Sequence, residues 1–163
     1  MSDRSKIIQR QAARVVLLDS QDRVLLLRCQ EPGADRAFWI TPGGGLEGGE
    51  THEKAAVREL REETGMVDAE LGPCIWTREH TFPWLNRTYC QRERFFLVRC
   101  DGHEVCADQR TEEERIVLTE HRWWSPPELA AAKDEHFAPR SIADLLMRLI
   151  REPLPDQPID VGA

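Results

Sequence analysis

Cysteine is scarce in this chain and oddly numbered. Of 163 residues only five are cysteines: Cys29, Cys74, Cys90, Cys100 and Cys106. An odd count with no C-x-x-C pair argues against a disulfide framework or a cysteine-rich zinc site. It predicts reduced thiols in a cytoplasmic protein. Positive charge is also in short supply: 22 Lys and Arg against 29 Asp and Glu leave a net charge of −7. Binding to a nucleic-acid polymer depends on Lys and Arg neutralising phosphate, so no such partner is expected. A small phosphorylated ligand remains compatible with this charge, provided cations accompany it. Long apolar runs are missing too. No stretch approaches the roughly 18 residues of a membrane span, and the polar opening MSDRSKIIQRQ has no signal-peptide core. Neither a membrane span nor a signal peptide is therefore expected. There is no internal repeat and no long linker. The lysine signature GK[ST] of a phosphate-binding loop does not follow the glycines.

What is present is ordinary for a globular domain: 40% hydrophobic and 31% charged residues, in a chain long enough to bury roughly 70% of its unfolded surface. The segment 13–29, ARVVLLDSQDRVLLLRC, reads as two apolar strands around a polar turn at Asp19–Asp22. AFWI at 37–40 leads into a cluster of glycines. Thr51 to Thr64 reads as a helix with Thr51 as N-cap and Gly65 at the position after its end. Lys54 stands where a capping box would need Glu. AELGPCIWTREHTF and RTYCQRERFFLVRC read as strands, the second partly alternating at Tyr89, Gln91, Glu93, Phe95 and Leu97. DGHEVCADQRTEEER reads as a polar loop, HRWWS as a short strand, and PPELAAA as a brief helix with prolines in its first turn. SIADLLMRLIRE reads as an amphipathic helix capped by Ser141. Strands flanking one helix, with another near the end, predict an α/β sandwich around a central mixed sheet. The expected domain is residues 1–152, and the proline-containing tail 153–163 is expected to be loose.

The helix at 51–64 poses a physical problem. At roughly 100° per residue, Glu62 falls about 60° to one side of Glu59 and Glu63 about 40° to the other. Three acids thus share one face at the end of a helix where the backbone already carries partial negative charge. A solvated acidic face is the plainest explanation of such a cluster. Two features oppose it. The acids sit beside Ala55, Ala56 and Leu60, and Lys54 and Arg61 point away. A divalent cation would relieve both the mutual repulsion and the dipole. Hard oxygen donors with no His or Cys among them suit Mg²⁺ or Mn²⁺ and argue against zinc. Arg58, four residues before Glu62, is placed to pair with it.

The segment Gly44–Met66 resembles the Nudix box, whose pattern is G, five residues, E, seven residues, then R-E-U-x-E-E-x-G-U with U apolar. Gly44, Glu50, Arg58, Glu59, Leu60, Glu62, Glu63, Gly65 and Met66 match all nine positions. A coincidence of that kind is on the order of 10⁻⁹ per starting position at average residue frequencies. The resemblance implies the Nudix fold, an α/β/α sandwich. It implies hydrolysis of a nucleoside diphosphate linked to another moiety, with Mg²⁺ or Mn²⁺. By position, Glu59, Glu62 and Glu63 resemble the family's metal ligands, and the carbonyl of Gly43 its backbone ligand. Arg58 resembles the arginine that orients the box acids, and Glu50 the supporting acid. The general base varies within the family, so Glu62, Glu63 and the later acids Glu112, Glu113 and Glu114 are candidates, with Glu120 a weaker one.

The substrate is less legible. Nucleotide sugars, compounds like ADP-ribose, dinucleotides and (deoxy)nucleoside triphosphates all fit. Trp39, Trp76, Phe82, Trp84, Trp123 and Trp124 could stack on a base. Gly43 and Gly44 could approach the substrate by their backbone. Arg94 is the expected phosphate contact, with Arg78, Arg87 and Arg92 as further arginines and His80 as a further pocket residue. The alternative to catalysis is a Nudix-fold nucleotide sensor or interaction module. A homodimer is an expectation carried by the family alone.

Overall fold

The computed structural model describes residues 6–162. Strand β1 (Ile7–Leu18) and strand β2 (Val24–Gln30) form the expected pair. The turn between them is tied by Asp19, whose Oδ1 accepts from the amides of Gln21 and Arg23. β1 begins six residues before Ala13, because Ile7–Ala12 extend a parallel ladder with a later strand. That extension is mostly exposed and lacks the continuous apolar run of the rest of the strand. β3 (Ala37–Ile40) and β4 (Gly43–Gly45) follow, then helix α1 (His52–Thr64). The Thr51 hydroxyl caps α1 by accepting from the Lys54 amide at 3.2 Å. Gly65 ends it in the left-handed conformation, φ 78°, with its amide on the Arg61 carbonyl at 2.8 Å.

The second half runs β5 (Cys74–Trp84), β6 (Arg87–Arg99), α2 (Glu112–Val117), β7 (Leu118–Trp124), α3 (Pro126–Ala131), β8 (Phe137–Ala138), α4 (Ile142–Arg151) and β9 (Ile159–Asp160). Three readings change. Helix α2 lies where a polar loop is expected. It carries no apolar stripe, and Thr111 starts it by accepting from the Glu114 amide at 3.1 Å. Ser141 is the N-cap residue of α4, but its hydroxyl makes no capping bond. The tail is not loose throughout: β9 adds parallel to β5, and the Val161 amide donates to Thr77. Ile159 and Val161 supply the apolar contacts that hold it there.

The sheet is mixed. Its order is β8-β3-β2-β1-β6-β5-β9, with β4 also on β1 and β7 also on β2. β1 and β6 run parallel from Ile7 opposite Thr88 to Leu18 opposite Arg99. Alternate residues of a strand face opposite sides, and the core divides accordingly. Val15, Leu17, Leu25, Phe96 and Val98 pack under Ala55, Ala56 and Leu60 of α1. Val16, Leu18, Leu26, Phe95 and Leu97 pack on the other side, under Leu129 of α3 and Ile142, Leu145, Leu146 and Leu149 of α4. Central strands buried on both faces read as continuous apolar runs, as VVLL and VLLL do. The result is the expected α/β/α sandwich. All five cysteines are unpaired. Among the described residues no helix is long and apolar enough to cross a membrane.

Candidate active site

The glycines act through close approach. β4 lies antiparallel to β1, with Gly43 opposite Arg14. Gly43 has φ 148°, and a Cβ there would sit 2.2 Å from the Ala13 carbonyl oxygen; at Gly44 a Cβ would sit 2.6 Å from Glu59 Oε1. Only glycine lets this strand pass so near the helix. The contact places the Gly43 amide 3.0 Å from Glu63 Oε2, to which it donates.

Arg58 organises the helix acids. Its Nε and Nη2 donate to both oxygens of Glu50 at 2.8 and 2.9 Å. Its Nη1 reaches Glu59 at 3.0 Å and Glu62 at 3.3 Å, and Nη2 also reaches the Gly45 carbonyl. The hydrogen bonds from Arg58 hold the Glu50 carboxyl down to about 2. Glu63 behaves oppositely. It is 5% exposed, and burial, then the charge of Glu59, push its carboxyl well above the usual carboxylate range.

Helix α2 brings one more acid. Oxygens of Glu59, Glu62 and Glu114 all lie within 4.8 Å of one another. Burial, then the Glu59 charge, raise Glu114. Among the described residues Arg58 pairs with Glu59 and Glu62 and no cation pairs with Glu114, and a donor set made solely of carboxylate oxygen fits a hard divalent cation.

The cluster opens into a cleft of about 870 Å³. One wall is apolar, with Phe38, Ile40, Val117, Leu118 and Phe137. Another is charged. Glu93, with a side chain 1% exposed, accepts from Arg14 Nε and from Arg78 Nη1, each at 2.6 Å, and lies 3.2 Å from His80 Nε2. Burial would raise its carboxyl, but Arg14 foremost, then the His80 hydrogen bond and Arg78, hold it well below the usual range. Burial pushes the Cys29 thiol in the same cleft up to about 11, so that sulfur stays protonated and inert.

A family model, the NUDIX domain, matches residues 8–145. The chain belongs to the Nudix family. It is similar to "Nudix hydrolase 25" of Arabidopsis thaliana, 31% identical over 140 residues covering 77% of each chain. It is also similar to the "RNA pyrophosphohydrolase" of Sphingopyxis alaskensis, 31% identical over 71% of this chain and 78% of that one. Among solved structures, the MutT protein of Methanosarcina mazei superposes with a TM-score of 0.67 at 17% identity, covering 90% of this chain and 99% of the other. The E. coli dihydroneopterin triphosphate pyrophosphohydrolase gives 0.58 at 22% identity, over 78% and 90%. These two likenesses bear on the fold alone. Family membership makes the chain a hydrolase of the pyrophosphatase class.

Within this Nudix framework the expected residues divide. Glu59, Glu62 and Glu114 meet, with Glu63 beside Glu59. Glu112, Glu113 and Glu120 are exposed and outside the cluster. The Gly43 carbonyl accepts from Arg14 Nη1 at 3.2 Å, which occupies one of its lone pairs. Trp39 is not a stacking surface. It is buried edge-on against Trp124, centroids 5.2 Å apart, and its Nε1 donates to Glu135. Trp76 is likewise core. Arg94 is exposed on the opposite sheet face, among His52 and Cys74, because one step along β6 from Glu93 reverses direction. Phe82 rims the cleft, yet it stacks on His80 at 4.7 Å and Tyr89 at 5.8 Å.

Sequence reasoning missed Arg14, Glu93 and Arg110. A signal existed for the first two: each is a charge at a position whose alternate neighbours are core. Arg110 ends the Nudix helix. Its Nε and Nη2 donate to the Glu63 carbonyl at 3.1 and 2.9 Å, and its Nη1 reaches the Leu118 carbonyl at 3.5 Å. His103 Nε2 lies 2.7 Å from the Thr64 carbonyl, so that nitrogen carries the proton. A cation on the last carbonyls offsets the dipole that the glutamates oppose.

Proposed function

We propose that this chain is a divalent-metal-dependent pyrophosphohydrolase that cleaves a nucleoside diphosphate linked to another moiety, with Mg²⁺ or Mn²⁺ as the ion. The observation that carries the reading is the meeting of Glu59, Glu62 and Glu114 within 4.8 Å, on two helices far apart in the sequence. Glu59, Glu62 and Glu63 would hold the cation, and Glu114 closes the cluster from α2. The bound ion supplies Lewis acidity at a phosphate oxygen and lowers the pKa of a coordinated water. The chain's own residues prepare the rest. Glu50 fixes Arg58, and Arg58 fixes Glu59 and Glu62. The Gly43 amide fixes Glu63, while Gly43 and Gly44 present backbone to the cleft. Glu114 Oε2 is buried without a protein partner, and it takes the proton of the attacking water. The water oxygen bonds to one phosphorus, the bridging P–O bond breaks, and the departing phosphate keeps the electron pair. The apolar wall of Phe38, Ile40 and Phe137 suits a nucleobase.

The name shared by several relatives, RNA pyrophosphohydrolase, supports a second reading, in which the cleaved diphosphate belongs to the 5′ end of an RNA. A phosphate-release screen with Mg²⁺ and Mn²⁺ tests both. It covers nucleoside triphosphates, ADP-ribose, nucleotide sugars, dinucleoside polyphosphates and a 5′-triphosphorylated oligoribonucleotide. Metal-dependent release from at least one class is expected. Silence across the panel favours a ligand-sensing module instead.

A further inference from the structure

Five guanidiniums line the same cleft: Arg10 and Arg14 of β1, Arg36 just before β3, Arg78 of β5, and Arg140 beyond β8. In a chain of net charge −7, composition alone does not produce such a gathering. One carboxylate, Glu93, serves two of them, Arg14 and Arg78. Arg10 and Arg140 form no ion pair among the described residues. Arg78 is 8% exposed, and its Nε has no hydrogen-bond partner. The cleft's remaining acids are engaged elsewhere: Glu31 accepts from the Leu85 amide, Glu135 from Trp39, Glu63 from the Gly43 amide, and Glu114 belongs to the cluster with Glu59 and Glu62. Burial first, then neighbouring arginines, lower Arg10 and Arg78, with Arg14 acting on both and Arg140 on Arg78. Crowded cations cost free energy that a bound anion would return, as a cation does for the facing glutamates.

We infer that Arg10, Arg14, Arg78 and Arg140 form an anion subsite for phosphate beyond the pair flanking the scissile bond. The substrate is then a nucleoside 5′-triphosphate group and not a two-phosphate conjugate ending in a neutral sugar. This rests on the phosphoanhydride reading above. Guanidinium–phosphate hydrogen bonds are charge-assisted and directional. Facing a neutral sugar, the four groups would have only the single charge of Glu93 to offset their mutual repulsion. The triphosphate group has two sources, a free nucleoside triphosphate and a triphosphorylated RNA end.

The test uses the full chain with saturating Mg²⁺. Steady-state kinetics are measured on a nucleoside triphosphate, a short 5′-triphosphorylated oligoribonucleotide and a nucleotide sugar. The proteins are wild type, Arg140→Ala, Arg10→Ala, and Arg92→Ala as an equal charge change at an exposed residue outside the cleft. Calorimetry with Ca²⁺ in place of Mg²⁺ follows binding of inorganic tripolyphosphate and pyrophosphate. Triphosphate-bearing compounds should exceed the nucleotide sugar in kcat/KM. Arg140→Ala and Arg10→Ala should each lower that value by about 10- to 100-fold, mainly through KM, and weaken tripolyphosphate binding alike. Preference between the two triphosphate arms identifies the source. Equal or better use of the nucleotide sugar, or Arg140→Ala behaving like Arg92→Ala, overturns the subsite. Selective tripolyphosphate binding that Arg140→Ala weakens, with no turnover of any compound, leaves the subsite standing and removes the hydrolase reading.

Discussion

Glu62 and Glu63 are neighbours in sequence with different surroundings. Glu62 is half-buried on Arg58, whereas Glu63 is enclosed and anchored by the Gly43 amide. Glu62→Gln and Glu63→Gln should each reduce Mg²⁺-dependent turnover by about 10²-fold or more, the scale of losing a group that acts only in the transition state. Circular dichroism should show the fold intact. Glu112→Gln, exposed on α2, should change turnover less than twofold by comparison with. Full turnover in both helix variants would remove the ligand assignment. Glu93 makes a different prediction, about stability. Its folded carboxyl lies below the unfolded value of about 4.3, so its stabilisation is complete above that pH and fades as pH falls through the folded value. Glu93→Gln should therefore lose about 3–5 kcal/mol at pH 7, where it strands two buried guanidiniums. The gap to wild type should narrow by about 1.4 kcal/mol per pH unit below about 4.3. Urea titrations at pH 7 and pH 3 measure it; an unchanged gap would show that the carboxylate charge is not the stabilising feature. The box glutamates were legible because spacing alone identifies them. Arg14 and Glu93 were hidden because their partnership spans the β1–β6 ladder, which only the register defines.

At the scale of elements, the site depends on how the ends of helices meet. α1 was readable from Thr51 to Gly65 because both caps are local chemistry. α2 was not. Six residues with no buried side chain offer no periodicity, and its placement comes from Arg110, which ties the Glu63 carbonyl of α1 to the Leu118 carbonyl at the end of α2. Arg110 thus positions Glu114 against Glu59 and Glu62. Arg110→Ala should lower kcat about 10-fold or more with a smaller change in KM, the pattern of a disturbed constellation. Added guanidinium ion should restore part of it. A purely structural role would lower the melting temperature without that rescue. Arg110→Lys should recover little, because one ammonium cannot bridge two carbonyls as a planar fork does.

On the scale of the molecule, the sheet joins the cleft to the chain's far end. Continuous apolar runs announced central strands, and amphipathic α4 announced the layer that covers one face. The prolines of the tail suggest looseness, while its two useful residues, Ile159 and Val161, are too few to form a pattern. Yet β9 covers β5 at Trp76 and Thr77, directly before Arg78 enters the cleft. Removing residues 153–163 should expose Trp76, now 2% exposed, and leave β5 as a bare edge prone to pairing with other chains. Two half-buried aliphatic side chains and a ladder are worth about 2 kcal/mol together, which corresponds to a urea midpoint lowered by about 1 M. Arg78 is still held by Glu93 from β6, so kcat on the preferred substrate should stay within about threefold while the truncated protein aggregates sooner on heating. Equilibrium urea unfolding, light scattering and steady-state kinetics on the same preparation separate these outcomes. An unchanged midpoint would mean that β9 is a passive trailing segment, and a collapse of kcat would mean that the edge strand, and not Glu93, holds the charged wall of the cleft in place.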